Sequence, residues 1–159
     1  MVSESEKLAE QLEKSRLNLI EKAAAFESLQ HVPVYSKEGD GWTVLHIIKH
    51  LQLAETEFIQ LFQQILDGGN GVAETFSIDG FNRDSMAGSG EITFGEAIAR
   101  YSATREKMIE FVKSLTDDQL QLVGRHPFFG MVTLEQMIKT IPIHTLSHLR
   151  DVQRAIKAV

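Results

Sequence analysis

The chain has 159 residues, 43% apolar and 24% charged, with a net charge of −6. That length holds one ordinary domain rather than two, the apolar share suffices for one core, and the acidic balance argues against a general nucleic-acid binder, which needs a basic face. The absence of cysteine excludes disulfides, iron–sulfur clusters and thiolate metal sites, so any metal must be held by nitrogen and oxygen.

No apolar run approaches the ~18 residues of a membrane span. The opening MVSESEKLAEQLEK is charged and lacks the apolar stretch of a signal peptide. A cytoplasmic location without a membrane partner is the expectation.

The first predicted helix runs from about Ser3 to Leu29, where Leu8, Leu12, Leu19, Ala23 and Phe26 recur at helical spacing. His31 and Pro33 end it, because the residue before a proline is pushed out of helical geometry. The second runs from about Thr43 to Leu66. Thr43 is its N-cap, after a turn of Gly39, Asp40 and Gly41, and Gly68, Gly69 and Gly71 stop it. A long connection follows from about Asp67 to Glu91, rich in Gly, Ser, Asn and Asp. Connections of this length are often functional. Phe76, Ile78 and Phe81 alternate with polar residues and can anchor it.

The third helix is predicted from about Thr93 to Leu115, with Thr93 and Glu96 at capping-box spacing. Thr116 to Val123 reads as a short helical turn, and Arg125 to Thr133 as a loop carrying Pro127 and Gly130. The fourth helix runs from about Thr133 to Ala158, and Pro142 predicts a kink before His144. Four long amphipathic segments without clear strands imply an all-α four-helix bundle, with a long loop between its second and third helices.

Three histidines carry the chemistry. His144 and His148 are four residues apart, on one face of the last helix. A helix advances about 100° per residue, which puts His148 within the apolar stripe, His144 roughly 70° to its side, and His50 roughly 80° from the stripe centre of the second helix. All three can face one cleft and share a divalent ion, leaving a coordination position open as catalytic sites do. A single imidazole on an apolar face is more often a packed core residue. An i, i+4 pair is rarer, because two nearby imidazolium charges repel unless a metal shares them. His46 and His50 are also four apart, so a site that includes His46 stays open at this point.

The chain resembles the DinB-like (DNA-damage-inducible) superfamily of up-down-down-up four-helix bundles, which includes bacterial thiol transferases and mycothiol-dependent isomerases. WTVLHIIKHL, with Trp42 and His50, is similar to the family's second helix. HPFFG, with His126, Pro127 and Gly130, and HTLSHLRDVQ, with His144, His148 and Gln153, are similar to its C-terminal part. The FNRDS stretch also looks like the corresponding family segment. The resemblance covers nearly the whole chain as one domain, residues 1–159, and implies that His50, His144 and His148 are its metal ligands. Many relatives of this type carry Asp after the first histidine of the pair. Here Thr145 stands there, so a role for that carboxylate does not carry over.

A three-histidine site suits Zn or Ni first, then Fe or Mn. Its ion can activate water or a thiol. The expected function is thus a metal-dependent enzyme acting on a small molecule, either a hydrolase or a thiol S-transferase using a low-molecular-weight thiol. The alternatives are a non-catalytic metal- or ligand-binding stress-response protein, and a bundle whose histidines merely pack. The resemblance also implies a homodimer. Asp151 and Glu55 are candidates for a general acid or base, though both read more readily as surface charges. Arg83, Arg125, Arg150 and Arg154 are candidates for the carboxylates of a thiol cosubstrate, although such residues usually only solvate a bundle. His126 reads as a loop-structuring residue. No Lys-Ser or Lys-Thr follows the glycines near residue 70, and no Gly-x-Ser-x-Gly elbow occurs, which leaves phosphate-loop and serine-nucleophile chemistry unsupported.

Overall fold

Each long helix opens on a hydroxyl that closes a capping box. A computed structural model describes residues 1–35 and 41–159. Ser3 accepts from the Glu6 amide at the start of α1 (Glu4–Ala23), and Thr43 from that of His46 at the start of α2 (Val44–Leu66). Thr93 and Thr133 do the same for α4 (Phe94–Lys113) and α6 (Leu134–Lys157). Each box satisfies amides that a helix terminus leaves unpaired, which makes the helix starts legible. Of the turn expected before Thr43, Gly39 and Asp40 lie outside the described residues.

Three expectations are corrected. The first helix stops at Ala23, and a separate 3-10 turn spans Glu27–Leu29. The long connection contains a helix, α3 (Ile78–Gly88), capped by Ser77 and without a fully buried residue. Beyond the short α5 (Asp117–Leu120), the expected loop is a β-hairpin of β1 (Val123–His126) and β2 (Gly130–Thr133). Val123 pairs with Thr133, and His126 with Gly130. The described residues thus form six α-helices and a two-stranded sheet. Pro142 lies inside α6 without ending it.

The four long helices pack α1 against α4 and α6, and α2 against α4 and α6. Their apolar stripes form two clusters. One gathers Leu8, Leu12, Phe62, Met108, Val112 and Met137. The other gathers Leu19, Val44, Ile47, Tyr101, Leu149 and Val152. Between them, buried Glu55, Arg105 and Thr145 form a polar belt at mid-height. The chain after α2 docks on the hairpin: the Arg125 amide donates to the Asn70 carbonyl at 2.7 Å, and the Val72 amide to the Arg125 carbonyl at 3.0 Å. Gly71 has φ +91° where it meets the Arg125 backbone, and a side chain there would collide with that strand. Among the described residues, no helix is long and apolar enough to cross a membrane.

Candidate metal centre

His50 is carried to the bundle interior by α2, whose neighbouring Ile47, Ile48 and Leu51 are buried. His144 and His148 face it from one side of α6, half-buried. His50 Nε2 lies 3.3 Å from His144 Nε2, and His148 Nε2 lies 3.0 Å from the same atom. Two nitrogens bound to one ion at about 2.0–2.1 Å with a tetrahedral angle stand about 3.3 Å apart, so these separations fit a shared cation. All three offer a ligand atom within 4.8 Å of the others, the one group of this kind among the described residues.

The electrostatics keep these rings neutral. Burial, and then the neighbouring imidazoles, push His50 down to about 2 and His144 down to about 4. His148 is lowered by burial and partly restored by Asp151. Neutral imidazoles carry the lone pairs a metal needs.

The surrounding hydrogen bonds aim one of those lone pairs. The Tyr35 hydroxyl donates to Asp151 Oδ2 at 2.8 Å and lies 2.7 Å from His148 Nδ1. With its single proton on Asp151, the phenol accepts from Nδ1–H, and that tautomer leaves the lone pair on Nε2, facing the other two rings. Asp151 therefore acts through Tyr35 and also accepts from Arg154 at 3.3 Å.

Other candidates fall elsewhere. His46 closes the α2 capping box, its Nδ1 accepting from the Thr43 amide at 3.0 Å, and it is not among the three converging rings. Glu55 is not the surface charge expected. It is 3% exposed and receives the Arg105 Nε–H. Arg105, with no exposed surface, also donates to the Leu12 carbonyl and to Thr145, so one guanidinium touches all four long helices. Thr145 faces this belt rather than the three converging rings. His126 structures the hairpin as expected: its Nδ1 accepts from the amides of Phe128 and Phe129 at 3.0 and 3.2 Å.

The three rings form one wall of a cleft of about 950 Å³. Trp42, Phe58, Phe76, Phe81 and Phe128 line much of the rest. None of Arg83, Arg125, Arg150 or Arg154 contributes to it, and among the described residues no Lys or Arg does. Arg125 instead pairs with Glu74.

The profile of the DinB superfamily matches residues 3–152. The chain belongs to the DinB superfamily. That match takes in α1, α2, α4, the hairpin and α6 as far as Val152, so the segments at Trp42, at His126 and at His144 lie within one family match. No curated protein matches the chain. DinB-superfamily membership and the three-histidine cluster are together compatible with metal binding. Sequence reasoning missed Tyr35, whose flanks VPVY carry no motif. It also missed the Arg105–Glu55 pair, although a signal was present: both charges lie in the buried stripes of facing helices, Arg105 between Tyr101 and Met108, and Glu55 between Leu51 and Phe58.

Proposed function

We propose that this DinB-superfamily protein is a divalent-metal-dependent enzyme that hydrolyses a small, largely apolar molecule. His50, His144 and His148 hold the ion, with Zn or Ni suited to the all-nitrogen donor set. The observation that carries this reading is the convergence of three neutral Nε2 atoms on one wall of a roomy cleft. The ion supplies Lewis acidity, which lowers the pKa of water or a thiol and polarises a carbonyl. Tyr35 and Asp151 orient His148, and the aromatic walls exclude water and hold the substrate body. The lining favours hydrolysis over thiol transfer, because peptide-like thiols carry carboxylates and no described cation faces the cleft. The up-down-down-up course of the bundle belongs to the same proposal, supported by α4 and α6 each packing against both α1 and α2.

Untagged protein from metal-replete cells is expected to contain one divalent ion per chain by mass spectrometry, falling below about a tenth in His148→Ala. Loaded protein is then offered aryl esters and amides, and separately an electrophile with several low-molecular-weight thiols. Ester or amide cleavage lost in His148→Ala supports hydrolysis. Conjugation without cleavage replaces the hydrolase with a thiol transferase, and metal without either reaction leaves a binding protein. Metal-free wild-type protein would overturn all three.

A further inference from the structure

We infer that His126 orients the molecule bound in the cleft, by donating its Nε2–H to the oxygen of an uncharged, mostly apolar carbonyl compound. The inference rests on the cleft's being the binding site proposed above, but not on the identity or presence of the metal.

The hairpin uses only one side of this imidazole. Nδ1 accepts two backbone amides, so the ring's proton resides on Nε2. That N–H is buried and has no acceptor among the described residues. Buried donors are nearly always paired, and one left over beside a cavity calls for a partner. A residue needed only to hold the turn would serve equally well as a bare acceptor, so the second nitrogen is surplus to the structural role.

His126 is 6% exposed and lines the same cleft as the three converging rings. Phe58 stacks on it at 5.4 Å and 29°, and Phe129 lies 4.9 Å away. Those contacts hold the ring plane and hence the direction of the N–H. Burial lowers its pKa, so near pH 7 the group is a neutral donor and not a cation. A neutral donor among aromatic walls, with no described Lys or Arg beside it, selects a carbonyl oxygen over a carboxylate or phosphate. Phe128 and Phe129 are 74% and 57% exposed at the hairpin tip. Both rings line the cleft, so a ligand seated there packs against them.

The probes are 2-acetylnaphthalene and its hydrocarbon isostere 2-isopropenylnaphthalene, titrated by calorimetry into the full chain as purified, with metal content measured alongside. Wild type is expected to bind the ketone about tenfold more tightly than the hydrocarbon, the value of one hydrogen bond to a buried donor. His126→Asn places an amide oxygen where Nδ1 stands and keeps the turn. It should bring the two probes within about twofold of each other, with metal content unchanged. In ¹⁵N-histidine spectra of wild type, the ketone and not the hydrocarbon should shift the His126 Nε2 signal, a readout that needs no variant. Equal affinities in wild type, no binding of either probe, an unmoved Nε2 signal, or a preference that survives in His126→Asn would overturn the inference. Survival of the preference would leave the metal reading standing. Metal-free protein that still prefers the ketone would do the reverse.

Discussion

At the scale of single residues, the centre depends on a tautomer. Tyr35 spends its only proton on Asp151, which obliges His148 to present Nε2 to its neighbours. Partners that orient a ligating histidine typically contribute 10–100-fold to metal affinity. Tyr35→Phe should therefore weaken metal binding by roughly that factor in competition with a chromophoric chelator, with the melting temperature of the metal-free protein within a few degrees of wild type. A comparable fall in metal-free stability with unchanged affinity would show that the hydroxyl only packs. The pairing of His144 and His148 was legible in helical spacing and the apolar stripe, whereas spacing left His46 and His50 open and the choice of His50 came from the family resemblance. Tyr35 was not legible. It lies 113 residues from His148, and only the fold joins them.

At the scale of elements, legibility followed burial. α1, α2, α4 and α6 bury continuous stripes behind Ser or Thr caps, and their starts could be read within a residue. The hairpin was hidden because its alternation is carried by unusual residues. In β1 the inward positions are Gly124 and His126 and the outward ones Val123 and Arg125, so the pattern runs against hydropathy. α3 was hidden because it buries no residue fully and is built of weak helix formers such as Gly80, Asn82 and Ser85. Arg105 joins the four long helices through Leu12, Glu55 and Thr145. Arg105→Met would strand a buried carboxylate at a cost of about 3–5 kcal/mol. Adding Glu55→Met should recover most of that loss. Urea denaturation of the single and double variants checks both expectations, and a double variant as unstable as the single would show that the belt is needed for packing rather than charge balance.

At the scale of the whole molecule, the histidines make folding sensitive to acid. His50 and His144 titrate near 6.5 when unfolded but are held at about 2 and about 4 in the fold, first by burial and then by neighbouring charges, His148 foremost. Below pH 6.5 the unfolded chain binds more protons than the folded one, so stability falls as the pH drops and levels off above about 6.5. His144 alone contributes a loss on the order of 3 kcal/mol by pH 4. Urea midpoints of chelator-treated protein should therefore fall steadily from pH 6.5 to pH 4. A flat profile across that window would mean that the rings are solvated.

The imidazoles of the centre come from opposite parts of the chain: His50 and His144 are separated by 94 positions. A nascent chain that has released α2 but not yet α6 holds only one of the three imidazoles. Under the metal-binding proposal, an ion held by all three imidazoles therefore stabilises only a chain in which α2 and α6 have already met.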